Sequence, residues 1–199
     1  MEQRPEVERL ESLWGGDFGD RYTDRNATDF AYRREFWERI QRDYPFESAL
    51  EVGCNLGGNL RWLRGRLFGV DVNLHALTRL RADLPHVNGV QSPARELPFR
   101  DRYFDLVYSA GVLIHQPDAT LPLVMAEMVR CSARWVLMAE YSADEHTDVP
   151  YRGESGALIK RPYGRLFAEL FPDWDLRGDG FLGRETGWDD VTWWAFERG

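Results

Sequence analysis

Ala49-Leu50-Glu51-Val52-Gly53-Cys54-Asn55-Leu56-Gly57-Gly58-Asn59-Leu60 reads as a short buried strand, a glycine turn and the start of a helix. The apolar run ending at Val52 predicts a central strand covered on both faces. Gly53 and Gly57 remove side chains where a ligand can approach the backbone. A helix starting after the turn would offer free N–H groups to electron-rich ligand groups. Glu51, two residues before the first glycine, can face a positively charged ligand. The three glycines can equally do no more than shape a tight turn, so the rest of the chain has to decide.

At 199 residues the chain is long enough for one well-filled domain and too short for two full ones. A formal charge of −8 argues against nucleic acid as the main partner, because phosphate binding needs a concentrated basic surface. Cys54 and Cys131 are the only cysteines and form no CxxC pair, so no metal site is expected and both read as buried thiols. The charged stretch Met1 to Leu10 has no signal-peptide character, and no apolar run is long enough to cross a bilayer. The expectation is a soluble cytoplasmic protein acting on a small molecule, without a membrane partner.

Residues 1–44 read as an N-terminal helical lid before a core at 45–199. Met1 to Leu13 is a short helix or a frayed end. Trp14 to Asn26 mixes aromatics, glycines and charges without period, which suits either a lid over a pocket or a loop plugging the sheet end. Thr28 or Asp29 caps a predicted helix from Phe30 to Asp43, ended by Pro45. The opening strand is followed by a helix with Leu60, Trp62 and Leu63 on its buried side. A second strand, Arg66 to Val72, ends on Asp71, 20 residues after Glu51 (71 − 51 = 20). Nucleotide-binding α/β folds place a ribose-binding carboxylate about 20 residues on; Asp71 can also cap the helix Leu74 to Asp83, a compatible role.

A third strand covers His86 to Gln91, and Ser92-Pro93-Ala94 follows it. A fourth covers Tyr103 to Ser109 and runs into Ala110-Gly111 and on to His115. A helix over Ala119 to Cys131 has Leu123, Met125-Ala126 and Met128-Val129 available for burial, and Arg134 to Tyr141 is a fifth strand. Ser142 to Gly156 is a polar loop, Pro162 to Phe171 a helix, and Trp174 to Leu182 and Val191 to Glu197 are closing strands. One helix and five rounds of strand and helix, then two strands, imply a Rossmann-like, doubly wound, seven-stranded α/β sheet with ligands at its C-terminal edge.

Glu51-x-Gly53-x-Asn55-x-Gly57, Asp71, Leu97-Pro98-Phe99 and Phe104-Asp105-Leu106-Val107 together resemble the motifs of class I S-adenosylmethionine-dependent methyltransferases. A narrower resemblance runs through Trp14, Phe18-Gly19-Asp20, Tyr22, Arg25-Asn26, Gly111 to His115, Arg130-Cys131-Ser132, Glu140-Tyr141 and Pro150-Tyr151-Arg152-Gly153. It points to the methylases associated with pseudaminic acid biosynthesis.

The resemblance implies a mostly parallel sheet with an antiparallel last strand, and S-adenosylmethionine as cofactor. It implies cofactor contacts from Tyr22, Arg25, Asn26, Glu51, Gly53, Asn55, Gly57, Asp71, Val72, Ser92, Pro93, Ala94, Ala110 and Gly111. Asn55 replaces the usual middle glycine, and Ser92-Pro93-Ala94 replaces the acid many such enzymes place near adenine. Trp14, His115, Tyr141, Tyr151 and Arg152 are the acceptor-side candidates. His115 serves as a base or as a structural histidine. Arg152 holds an anionic acceptor such as a sugar acid, or pairs with Glu154 on a solvated loop. Two other classes stay open: a non-catalytic cofactor-binding protein, and an NAD-dependent oxidoreductase, against which stands the spacing Gly53-x-x-x-Gly57.

Overall fold

The computed structural model describes residues 3–154 and 156–199; Met1 and Glu2 of the expected lid and Ser155 of the polar loop lie outside the described residues. Among the described residues nine strands form: β1 (Ser48–Val52), β2 (Arg66–Asp71), β3 (Val87–Gln91), β4 (Phe104–Ala110), β5 (Ser132–Glu140), β6 (Thr147–Asp148), β7 (Ile159–Lys160), β8 (Trp174–Leu182) and β9 (Val191–Arg198). Seven join one sheet in the order β3-β2-β1-β4-β5-β9-β8, with β9 antiparallel to both its neighbours. β6, inside the stretch Ser142 to Gly156 expected to be a polar loop, pairs with β7 just beyond it as a separate ribbon. The helices are α1 (Gln3–Gly15), α2 (Asp17–Arg25), α3 (Arg34–Asp43), α4 (Leu74–Asp83), α5 (Leu121–Cys131) and α6 (Tyr163–Leu170).

β1 is buried along its whole length, as its apolar run requires. One face of the sheet packs on Phe36, Trp37 and Ile40 of α3 with Leu77 and Leu80 of α4. The other packs on Val124, Met125 and Met128 of α5 with Tyr163 and Phe167 of α6. Both cysteines are buried free thiols. No helix among the described residues is long and apolar enough to cross a membrane.

Several expectations need correction. No α-helix follows the glycine turn: Leu60–Trp62 is a single 3₁₀ turn, and β2 follows at once. Gly57 (φ 69°) and Gly65 (φ 116°) take backbone conformations that interrupt a helix on both sides. The expected alternation of five strands with five helices is therefore incomplete, and β3 also passes to β4 without a helix.

Trp14 to Asn26 is not irregular. It contains the end of α1 and all of α2, which buries Gly19 and Thr23 against the fold. Gly19 is what hides the helical period, since a Cβ there would stand 1.8 Å from the Trp14 carbonyl oxygen. The helix expected from Phe30 begins as a 3₁₀ turn at Ala31, with Phe30 left-handed (φ 54°) and Asp29 Oδ1 accepting the Ala31 N–H at 3.0 Å. Leu123 is exposed, because α5 turns Val124 and Met128 inward instead.

Candidate active site

The motifs around β4 divide into those that build the sheet and those that reach a cavity. Asp105 Oδ2 accepts the backbone N–H of Glu47 and Ser48 at 3.0 and 2.9 Å, and fixes the start of β1, far from the strand C-termini. Arg130 donates to the Leu97 and Phe99 carbonyls at 2.9 and 2.7 Å and so holds the Leu97-Pro98-Phe99 loop. Both motifs are structural staples.

At the opposite edge a cavity of about 260 Å³ lies over the C-terminal ends of β1, β2 and β4, under α1 and α2. It falls just below the usual size range of small-molecule sites. Tyr22, Asn26, Glu51, Gly53, Asn55, Asp71, Val72, Ser92, Ala94, Ala110 and Gly111 line it, as do Trp14 and His115. Arg25, Gly57, Pro93, Tyr141, Tyr151 and Arg152 stand outside its wall. Gly57 instead faces Leu80 of α4 and Leu84 just past its end. Arg25 and Arg152 are exposed, the latter on a turn with φ 51°. Tyr141 hydroxyl reaches Asp189 at 3.5 Å, and Tyr151 packs at 5.6 Å from the His115 ring. Arg161 is buried and ion-paired with Asp118 at 2.7 Å.

Backbone conformation prepares the turn. Gly53 has φ 70°, and a Cβ on it would stand 2.3 Å from Val112 Cγ2. Gly111 also has positive φ, 69°, and nothing lies within 4 Å of where its Cβ would be. Asn55 is left-handed at φ 45°, a conformation asparagine tolerates better than most residues. Its Oδ1 accepts the Leu56 N–H at 2.8 Å and its Nδ2 donates to Thr23 Oγ1 at 3.0 Å. Asn55 thus does locally what glycine does in the resembling family, and in addition grips α2.

Asp71 Oδ2 accepts the Asn55 N–H at 2.8 Å and Oδ1 the Asn73 N–H at 2.9 Å. Burial raises its pKa, against the lowering by the Asn73, Asn55 and Val72 N–H groups. Ser92 donates its hydroxyl to the Glu96 carbonyl at 2.7 Å, which leaves its oxygen as an acceptor toward the cavity.

Glu51 is buried and accepts from two donors: Asn59 Nδ2 and, at 3.2 Å, the Tyr108 hydroxyl. The pairing of Glu51 with Tyr108 across β1 and β4 brings that hydroxyl into place. Burial pushes the Glu51 carboxyl up to about 8, against the Asn59 hydrogen bond. The Asn59 amide faces the other way too: its Oδ1 accepts from Arg33 Nη1 and from Trp37 Nε1, both at 2.9 Å. The Arg33 guanidinium is further held between the rings of Phe30, Tyr32 and Trp188 at 5.1 to 5.3 Å. Arg33 and Asn59 line the cavity, and neither was among the candidates read from sequence. Asn59 lies inside the opening stretch, a polar residue in an apolar run, which is the one signal that pointed to it.

His115 closes the 3₁₀ turn Leu113–His115. Its Nδ1 meets the Ala157 carbonyl oxygen, and a carbonyl only accepts, so Nδ1 carries the hydrogen and Nε2 the lone pair. Burial lowers its pKa to about 4, so the ring is neutral at pH 7. Buried Glu140 fixes that turn: it accepts from Ser109 Oγ at 2.8 Å and from the Val112 N–H at 3.0 Å. Burial raises Glu140 to about 7.

Residues 50–134 match the family described as "Methyltransferase domain". The mouse protein named mitochondrial arginine-hydroxylase NDUFAF5 is 38% identical over 76 residues, 36% of this chain and 21% of its own length. The Arabidopsis thaliana 24-methylenesterol C-methyltransferase 2 is 30% identical over 135 residues, 58% of this chain and 37% of its own length. The chain therefore spans well under half of these relatives. Among solved structures, magnesium protoporphyrin IX methyltransferase from Synechocystis, with S-adenosylhomocysteine bound, superposes with a TM-score of 0.75 at 10% identity, covering 96% of this chain and 99% of that one. The chain carries a match to the methyltransferase domain over residues 50–134 on the Rossmann-like fold of class I methyltransferases.

Proposed function

We propose that this protein binds S-adenosylmethionine and moves its methyl group to an oxygen or nitrogen of a small metabolite. The observation that carries the reading is the relay Arg33–Asn59–Glu51 on the cavity wall. A methionine head group brings a carboxylate and an ammonium to one place. A guanidinium and a carboxylate held on the two ends of one amide are the matching pair. Asp71 offers its remaining lone pairs to a ribose diol, and Gly111, with nothing within 4 Å of where a Cβ would stand, leaves the space beside it clear.

The 3₁₀ turn after the glycines also bears on the oxidoreductase alternative. A dinucleotide needs a helix N-terminus for its pyrophosphate, and α-helical N–H groups are missing there. When bound, the cofactor supplies a methyl group already activated on a sulfonium. The chain's own task is to hold the acceptor in line and keep water out, which α1 and α2 do as the roof of the cavity. With Nδ1 committed to Ala157, we assign to His115 Nε2 the role of taking a proton from the acceptor.

The anionic acceptor expected from the sequence depends on Arg152. That side chain is exposed and outside the wall, so the acceptor proposed is a small molecule without a required negative charge. Calorimetry with S-adenosylmethionine, S-adenosylhomocysteine and NAD, paired with a turnover assay, tests the reading. Binding of the first two and not NAD, with methyl transfer, supports it. Binding without turnover on any acceptor favours a non-catalytic binding protein, and NAD binding rejects the reading.

A further inference from the structure

Among the described residues three carboxylates line the cavity: Glu51, Asp71 and Glu11. Glu51 accepts from Asn59 and Tyr108, and Asp71 from the Asn55 and Asn73 N–H groups. Glu11 comes from outside the sheet. It stands on α1, whose Val7, Leu10, Glu11 and Trp14 reach the wall at helical spacing. Arg95 Nε donates to Glu11 Oε1 at 2.6 Å and Arg95 Nη2 to Oε2 at 3.1 Å. This two-pronged pair ties α1 to the loop after β3.

The strand order sets the sequence of groups along the wall. Glu51 is on β1, Asp71 ends β2 and Ser92 follows β3, and these strands are neighbours in the order β3-β2-β1. The Ser92 N–H donates to the Asp71 carbonyl at 3.2 Å, so Ser92 and Ala94 form the wall just beyond Asp71. Arg95 is the next residue, and it brings Glu11 to that side. A ligand with its amino-acid end at Glu51 and its ribose at Asp71 therefore has its base beside Ser92, Ala94 and Glu11. Ser92-Pro93-Ala94 carries no charge, and Ser92 offers only a neutral oxygen. Glu11 is the anionic acceptor at this end. A carboxylate has about four lone-pair sites, so with two taken by Arg95 it can still accept from another donor.

We propose that Glu11 accepts a hydrogen of the adenine 6-amino group, so that the base is read from α1 and not from the loop after β3. This deepens the S-adenosylmethionine reading and rests on it. Arg95 already fixes the carboxylate, which lowers the ordering cost of binding. Val7, Leu10, Val72 and Ala94 supply apolar wall for a flat base. A hydrogen bond to a carboxylate is stronger than one to a hydroxyl, so Glu11 outweighs Ser92 in telling an aminopurine from a purine without the amine. Glu11 is thus a specificity-determining residue, and its contribution depends on α1 lying over the site.

The test is calorimetry on the full chain with two ligands: S-adenosylhomocysteine, and its desamino analogue in which hydrogen replaces the 6-amino group. The wild-type protein should bind the first about tenfold more tightly than the second. Glu11→Ala should bring that ratio to within about twofold. Glu11→Gln keeps an oxygen acceptor and loses the charge, so it should narrow the ratio to about threefold. A Glu11 that only holds Arg95 and α1 would weaken both ligands alike and leave the ratio as it was. No binding of S-adenosylhomocysteine by the wild-type protein overturns the cofactor reading, and this assignment with it. Binding of both ligands equally by the wild-type protein overturns this assignment alone, as does a ratio undiminished in either Glu11 variant.

Discussion

Asn55 Nδ2 donates to the buried Thr23 Oγ1 at 3.0 Å, so the glycine turn and the helix that roofs the cavity are joined by a side chain from within the turn. Thr23→Val removes the acceptor with little change of shape and leaves the Asn55 amide unpaired. Loss of about 1–3 kcal/mol of stability is expected, with weaker binding of S-adenosylhomocysteine, by chemical denaturation and calorimetry respectively. Asn55→Gly should cost less stability, since glycine accepts φ 45° freely, and yet loosen the roof in the same way.

Glu51 makes stability fall with rising pH. Its carboxyl is raised by burial to about 8 from an unfolded value of 4.5, so the native state binds more protons between those two pH values. The contribution is fully present below pH 4.5 and is lost as pH rises through 8. Glu140, raised to about 7, acts in the same sense. Urea denaturation of the ligand-free protein should show stability dropping by roughly 3 kcal/mol or more from pH 5 to 8.5. Glu51→Gln should flatten that slope and be more stable than wild type at pH 8.5; an unchanged slope would show that Glu51 stays ionised throughout.

Asp71 serves two masters. Its carboxylate accepts the Asn55 and Asn73 N–H groups, and we assign its free lone pairs to the ribose. Asp71→Ala should therefore cost both stability, about 2–4 kcal/mol, and cofactor affinity, at least about tenfold. Wild-type affinity in a folded Asp71→Ala protein would falsify the ribose role.

Glu140→Ala leaves the Ser109 hydroxyl and the Val112 N–H unpaired in the interior. A loss of about 2–4 kcal/mol is expected. The His115 turn should loosen, read as faster amide exchange at residues 112–115. Unchanged exchange there would mean that Ala157, not Glu140, places the histidine.

The sheet was legible because its signals are local. The β1 run, the Asp71 spacing and the Phe104 to Val107 strand each declare themselves within a few residues. The helix after Gly57 was misread because the apolar positions at Leu60 and Leu63 fit a helix, while the glycine conformations that prevent it depend on packing against Leu80 and Leu84. α2 was hidden by Gly19, whose presence records contact with the Trp14 backbone and not flexibility. Arg33 and Asn59 were missed for a different reason. Their roles exist only when the 3₁₀ turn leading into α3 meets the glycine turn that follows β1, Arg33 and Asn59 being 26 residues apart in sequence. Arg152 was named because arginine pairs with carboxylates and Tyr141 from resemblance, and the fold sets both outside the cavity wall.

The central claim is that Arg33, Asn59 and Glu51 read the amino-acid end of S-adenosylmethionine. Calorimetry of S-adenosylhomocysteine at pH 7, in two buffers of different ionisation enthalpy, measures it most directly. A proton should leave Glu51 when an ammonium arrives beside it, so the observed enthalpies should differ by the buffers' difference times a positive fraction of a proton released. Arg33→Ala should weaken binding about tenfold or more. Binding with no proton release and unaltered by Arg33→Ala, or no binding at all, would contradict the account.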